Sequence, residues 1–184
     1  GGKMQLVSKP AMVRDINRHA GDIVAMVVAD RQETADSAIE LIAAEFEPMP
    51  AVTDIYAAMK DGAPQLYDCY PNNIAFEWGV GKLDETERAM NDAIAEGHQI
   101  IEIDVVNSRV VINSMETRPM VAAPGAKDGT LDIWCGTQGV VGIAEQIATA
   151  LSMERADVRV QTGDVGGSFG FKIFLHAEQI CIAW

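Results

Sequence analysis

A strand–helix–strand pattern over residues 131–162 restricts the fold of this chain more than any other feature. The segment "LDIWC" has the short apolar character of a buried strand, and "DVRVQT" alternates like a second strand. Between them, "VVGIAEQIATAL" carries apolar residues at helical spacing. Strands that alternate with helices are typical of α/β proteins, so we expect a mixed α/β fold.

Other segments extend this alternation along the chain. Residues 22–30, "DIVAMVVAD", predict a buried strand, and the next stretch predicts a helix that runs to Phe46 with Thr34 as its N-cap. Residues 84–95 predict another helix. "HQIIEIDVV" and "SRVVINSM" predict two strands joined by a hairpin turn, and "AEQICIAW" predicts a last helix.

The chain also shows one candidate linker. Residues 53–73 are polar and contain proline and glycine, and they separate two apolar regions with their own patterns. Compact units are usually joined by stretches of this composition. We therefore predict a first α/β unit of residues 1–54, a linker of residues 55–73 and a second unit of residues 74–184.

Charge and cysteine content narrow the classes of function. With 14 basic and 27 acidic residues, the net charge of -13 argues against binding to nucleic acid or to an anionic membrane surface. No apolar run reaches transmembrane length. The three cysteines are widely spaced and form no CxxC pair, which indicates reduced thiols and a cytoplasmic protein.

The segment "DVGGSFGFK", residues 164–172, is the strongest candidate for a binding loop. It matches neither the phosphate-binding pattern GxxxxGK[ST] nor the dinucleotide pattern GxGxxG. Closely spaced glycines can still point several N–H groups into one concavity that binds anions or oxo groups. The alternative is a tight turn between a strand and a helix, with Phe169 packed in the core.

Two further stretches carry polar residues beside predicted strands. "SMETRP" places Glu116 and Arg118 in a strand-like region, where the simple interpretation is a surface ion pair. "WCGTQGV" places Gln138 where a strand meets a helix, and a helix-capping role is the alternative to binding. Ligand sites of open α/β sheets gather at such strand ends, so we expect Gln138 to lie near residues 169–170.

Taken in order, these motifs resemble the molybdopterin-binding large subunit of the xanthine dehydrogenase/aldehyde oxidase family, the molybdenum hydroxylases. Residues 19–54 resemble the later half of its α/β hammerhead domain. Three segments resemble successive motifs of its first cofactor-binding domain: "NSRVVINSMETRP", "WCGTQGV" and "DVGGSFGFK". The residues of the last two motifs are most similar to those of the carbon monoxide dehydrogenase-like branch. The resemblance covers residues 14–184 and implies that the chain is a fragment of such a subunit.

The resemblance also implies roles for individual residues. Gln138 matches a glutamine whose amide contacts an oxo ligand of molybdenum. Phe169 and Gly170, with Gly167 beside them, match a loop whose backbone approaches the cofactor. The implied cofactor is molybdenum–molybdopterin, and the pterin, not protein side chains, holds the metal. The implied reaction is hydroxylation of an electron-poor carbon with oxygen from water.

At some positions this sequence departs from the family pattern, and the family's residue roles cannot be assigned there. Ile173 stands where purine-oxidising members have a glutamate, and no residue matches the family's glutamate base. The resemblance implies iron–sulfur and FAD subunits or domains as partners. For the isolated chain we expect no turnover, and self-association through its apolar last segment. A non-catalytic ligand-binding module and a silent truncated remnant remain the alternatives.

Overall fold

The computed structural model describes residues 9–184 and confirms the mixed α/β class. Residues 1–8, part of the predicted first unit, lie outside the described residues. In chain order the helices and strands are α1 (Gln32–Glu40), α2 (Ile55–Ala58), α3 (Leu83–Ala95), β1 (Met120–Pro124), β2 (Leu131–Cys135), α4 (Val140–Leu151), β3 (Val158–Gln161) and α5 (Ala177–Ala183).

The described residues contain one three-stranded sheet in the order β1-β2-β3. β1 pairs antiparallel with β2, from Met120 opposite Cys135 to Pro124 opposite Leu131. The tight turn of "GAKDGT" closes this hairpin, with Gly125 N–H donating to Thr130 O at 2.9 Å. The sequence analysis predicted β2 but missed β1.

A helical crossover connects the two parallel strands β2 and β3. The apolar face of α4 packs on the sheet, and the largest fully buried side chains are Ile133, Ile143, Ile147 and Val158. Burial of each such side chain contributes roughly 1.5–3 kcal/mol. The strand–helix–strand prediction is confirmed in this region, and the crossover brings the ends of β2 and β3 to the same sheet edge.

Three predicted strands are wrong. Residues 22–30, 98–106 and 108–115 contain no assigned strand. A strand exists only when its backbone pairs with a neighbour, and no ladder joins these segments to other described residues. Their apolar side chains are largely exposed, as at Ile103, Val105 and Val111. Their β-branched composition therefore does not produce strands in this chain.

The first helix also departs from the prediction. α1 begins at Gln32 with Arg31 as N-cap, so the assignment of Thr34 as N-cap is wrong. The helix ends at Glu40 instead of reaching Phe46, and none of its side chains is buried. Without tertiary packing, a short helix of this composition has little to extend it.

Close contacts divide the described residues into two compact units. Residues 47–109 form one unit, and residues 9–46 with 110–184 form the other, which contains the whole sheet. In the first unit, the segment predicted as linker is folded around Asn73. Its side chain donates to Ala58 O at 2.9 Å and accepts from Leu66 N–H at 2.8 Å. The sequence analysis divided the chain into consecutive segments, with boundaries at residues 54 and 73. That division into a first unit, a linker and a second unit stays a prediction.

Two of the remaining helices agree with the sequence analysis, whereas α2 lies in the predicted linker and was not predicted. α3 and α5 lie where their patterns predicted them, and they have 13 and 7 residues. Among the described helices, none is long and apolar enough to cross a membrane.

Candidate functional site

The predicted site residues lie at the carboxyl ends of the two parallel strands. Gln138 follows β2 and lies one residue before Gly139, the N-cap of α4, and the loop of residues 164–172 begins three residues after β3. Parallel strands end at the same sheet edge, so the two segments meet there. Gln138 and Phe169 are exposed, whereas Ser168 between the loop glycines is buried.

Direct hydrogen bonds join Gln138 to the glycine loop. Ser168 Oγ donates to Gln138 Oε1 at 2.5 Å. Gln138 N–H donates to Lys172 O at 3.3 Å, and Thr137 Oγ accepts the N–H of Gly139. The expected proximity of Gln138 to residues 169–170 is thus present, and Gln138 does not act as a side-chain cap of α4.

The loop backbone adopts the conformations that its glycines permit. Gly167 and Gly170 have φ of 97° and 90°, in the left-handed region where a Cβ is disfavoured. Phe169 also has a positive φ, of 53°, and its side chain is 76% exposed. The alternative that packs Phe169 in the core is therefore wrong. A Cβ placed on Gly170 would meet no atom within 4 Å, so the backbone there faces open space.

An ion pair between a buried lysine and a half-buried glutamate anchors the loop. Lys172 Nζ pairs with the Glu116 carboxylate, and the lysine side chain is only 1% exposed. Glu116 also accepts from Gly166 N–H at 2.9 Å, and its own N–H donates to Gly166 O at 3.2 Å. The hydrogen bond from Lys172, helped by that from Gly166, lowers the pKa of Glu116. The interpretation of Glu116 and Arg118 as a surface pair is wrong.

Two glycines make room for Glu116. A Cβ on Gly166 would lie 2.6 Å from Glu116 Cβ, and one on Gly136 would lie 3.1 Å from its carboxylate. A contact of 2.6 Å to a Cβ atom cannot form without moving one of the two segments. Gly166 is therefore required by close approach of another part of the protein, whereas Gly170 faces open space.

Arg118 instead pairs with α5. Its guanidinium donates to Glu178 Oε1 at 2.7 Å and lies 4.3 Å from the centroid of the Phe171 ring. Burial raises the pKa of Glu178, but its backbone N–H and Arg118 outweigh this effect and lower it. These residues, with Ser114, line a cavity of about 330 Å³ beside the glycine loop.

Several donors at this edge remain available to a ligand. Within residues 9–184, no acceptor engages Gln138 Nε2 or the backbone N–H groups of Phe169 and Gly170. N–H donors held in a fixed frame can orient and polarise an oxo or anionic oxygen without a charged side chain. The geometry suits an electron-rich ligand that approaches the exposed side of the loop.

The comparison with known families shows which cofactor-binding family the chain belongs to. Residues 66–184 match the family model described as the molybdopterin cofactor-binding domain. The chain belongs to this family. Members of the large-chain families named xanthine dehydrogenase, aldehyde oxidase and carbon monoxide dehydrogenase are among its relatives. The resemblance found in the sequence is thus confirmed, and so is molybdenum–molybdopterin as the cofactor of these proteins.

Individual relatives support this molybdopterin-binding assignment. The gamma subunit of the 6-hydroxypseudooxynicotine dehydrogenase complex of Paenarthrobacter nicotinovorans is 31% identical over 96% of this chain and 21% of its own length. The carbon monoxide dehydrogenase large chain of Afipia carboxidovorans is 26% identical over 86% of this chain and 20% of its own length. Quinoline 2-oxidoreductase of Pseudomonas putida 86 matches with a TM-score of 0.81 at 28% identity, over 96% of this chain and 22% of that one. The chain spans about a fifth of the length of these relatives.

Sequence reasoning found Gln138 and the molybdopterin-family loop but missed the residues that hold them. Lys172 was treated only as the end of a failed phosphate-binding pattern, and Ser168 was given no role. One signal was present for Lys172, because it stands alone between the apolar residues Phe171 and Ile173. A lysine in such surroundings needs a carboxylate partner when it is buried.

Proposed function

We propose that this chain forms part of the molybdopterin site of a molybdenum hydroxylase, with Gln138, Phe169 and Gly170 as direct contacts to the cofactor. The observation that carries the proposal is their meeting at one sheet edge, through the hydrogen bond between Ser168 and Gln138. The family assignment of residues 66–184 supports it.

The residues present fit such a cofactor. The Gln138 amide N–H groups and the backbone N–H groups of residues 169–170 are donors, and oxo groups of the cofactor are acceptors. Gly167, with its positive φ, turns the chain so that Phe169 and Gly170 reach the surface. When bound, the cofactor supplies two-electron hydroxylation chemistry, and the chain's own contribution is orientation and electrostatic stabilisation.

The substrate class and partners are part of the same proposal. Relatives are named for quinoline, 6-hydroxypseudooxynicotine and carbon monoxide, and the first two contain a nitrogen heterocycle with electron-poor ring carbons. Ile173 offers no carboxylate to a purine, which favours an aldehyde or a non-purine heterocycle. One relative is named as a subunit of a complex, which supports partner subunits. That these partners carry iron–sulfur clusters and FAD is what the family resemblance implies. The unpaired cysteines favour a cytoplasmic location.

The test uses the complete product of the gene that encodes this chain. It should be expressed in a host that makes molybdopterin, and molybdenum and pterin measured per polypeptide. We expect about one of each, and a lower content in Gln138→Ala. Gln65→Ala is the matched control, because Gln65 is also exposed and lies far from the loop in sequence. A folded product without pterin would contradict the proposal.

For the isolated 184-residue chain we propose folding without turnover, and self-association. The isolated chain supplies only part of the cofactor site. It therefore lacks most of the contacts that would offset the entropic cost of binding the cofactor. The exposed Ile182 and Trp184 at the last helix support self-association. Elemental analysis and sedimentation of the purified chain test the two statements separately, and a molybdenum-loaded, active chain or a concentrated monomer would contradict them.

A further inference from the structure

Ser168 stands in an unusual hydrogen-bonding position for a loop residue. Only 8% of its surface is exposed, and its hydroxyl has partners on both sides. Lys172 N–H donates to Ser168 Oγ at 3.0 Å, and Ser168 Oγ donates to Gln138 Oε1 at 2.5 Å. The hydroxyl therefore links the loop backbone to the side chain of Gln138.

The direction of this link determines how the amide of Gln138 is turned. The Gln138 atom that contacts Ser168 Oγ is Oε1, and an amide carbonyl oxygen accepts the one proton that the hydroxyl can donate. The partner of the hydroxyl is thus the carbonyl oxygen. Since Oε1 faces Ser168, Nε2 faces the opposite way, toward the exposed side of the loop.

Ser168 is itself fixed relative to Gln138. The carbonyl of Lys172 accepts from Thr137 Oγ at 2.8 Å and from Gln138 N–H at 3.3 Å. The side chain of Lys172 is held by Glu116. Loop and strand end therefore form one hydrogen-bonded frame, and within it the Ser168 hydroxyl is the group that holds the side-chain amide of Gln138.

We propose that Ser168 is a positioning residue, which fixes the Gln138 amide with its N–H groups outward. An amide has two orientations of similar shape, and only one presents donors to an electron-rich ligand. In the other orientation the carbonyl oxygen would face that ligand and repel it. The identity of the ligand as the oxo group of molybdopterin rests on the proposed function, whereas the orientation itself does not.

The orientation is tested by NMR on the cofactor-free, full 184-residue chain. In Ser168→Ala, we expect the Gln138 side-chain 13Cδ resonance to move upfield and its 15N–{1H} NOE to fall to the value of exposed Gln65, because the carbonyl loses its donor. Ser168→Thr keeps the hydroxyl and should restore both. Ser114→Ala is the matched control, since Ser114 is equally buried at 9% exposure but donates to Glu116 O.

A measurement on the unmodified chain keeps the test valid if a variant does not fold. NOEs from the Gln138 Nε2 protons to Ser168 Hβ are expected to be absent, because those protons face outward. Their presence would overturn the proposal, and so would a Gln138 signal that Ser168→Ala leaves unchanged.

A second readout connects the orientation to the ligand. In the molybdenum-loaded gene product, we expect Ser168→Ala to lower kcat about 10–100-fold with little change in KM, and Ser168→Thr to recover most of it. An equal loss in Ser168→Thr would overturn the positioning role. A product that binds no molybdenum would refute the proposed function and leave the NMR result standing, so the two failures are distinguishable.

Discussion

Residues 98–113 and residues 120–135 have opposite outcomes in this molecule. The first segment is the richer in isoleucine and valine, yet it contains no strand, and Ile103 and Val105 are 77% and 75% exposed. The second is interrupted by the polar turn "GAKDGT", yet it forms the hairpin of β1 and β2. Ile133, at the centre of β2, is fully buried.

The difference teaches that composition sets strand propensity, while pairing and burial decide whether a strand exists. The hairpin has a turn that closes it, a third strand beside it and a helix on its face. Residues 98–113 have none of these among the described residues. β-propensity largely measures how a side chain packs on a half-buried surface, so it has little effect where that surface is missing.

The largest expected effect contrasts a buried and an exposed branched residue. Ile133→Ala leaves a cavity under α4 and should lower the free energy of unfolding by about 2–5 kcal/mol. Val105→Ala should change it by less than about 0.5 kcal/mol, because its side chain already contacts water. Urea unfolding measures both, and similar values would show that residues 98–113 are packed in solution.

The ion pair below the loop should give the next largest effect. Lys172→Met removes the buried partner of Glu116 and should cost about 1–3 kcal/mol, because the carboxylate keeps only part of its hydrogen bonding. Lys82→Met is the control, since Lys82 forms an exposed pair with Glu85, worth at most about 1 kcal/mol. Equal losses in the two variants would argue against a structural role for the buried pair.

The glycine loop is expected to respond to a single methyl group. Gly170→Ala should destabilise the chain by about 1–2 kcal/mol, because alanine is disfavoured at the positive φ of this position. Gly163→Ala is the control one residue before the loop, since its φ lies outside that region and open space surrounds it. Thermal unfolding compares the two, and an unaffected Gly170→Ala would indicate a different loop conformation.

The smallest expected effect is a pH dependence. The pKa of Glu116 is below its ordinary value of 4.5 in the folded chain, so the folded state binds fewer protons than the unfolded state. Its contribution is therefore present above that value and is lost as the pH falls through the folded pKa. The stability difference between the chain and Glu116→Gln should shrink from about pH 6 to about pH 3 in urea titrations. A constant difference would contradict the pairing.

Local patterns explain what could be predicted. α3, α4, α5, β2 and β3 follow from short-range periodicity, and the meeting of Gln138 with the loop follows from the geometry of parallel strands. The failed strands depend on partners distant in sequence, which periodicity does not encode. Lys172 was missed because lysine is almost always exposed, and its partner Glu116, 56 residues away in sequence, is brought to it only by the fold.

The close packing of Glu116 against Gly136 and Gly166 constrains how related sequences can vary. The glutamate occupies the space that a Cβ would need at Gly166. Its carboxylate lies close to the position that a Cβ would take at Gly136. Positions 116 and 166 are coupled most tightly, because the close approach at Gly166 is to the Cβ of Glu116, whereas the contact at Gly136 is to the end of the side chain. In homologues, a side chain at position 166 should occur only where position 116 is glycine or the two segments have moved apart, and a homologue with glycine at position 116 would have to stabilise its lysine at position 172 by another carboxylate.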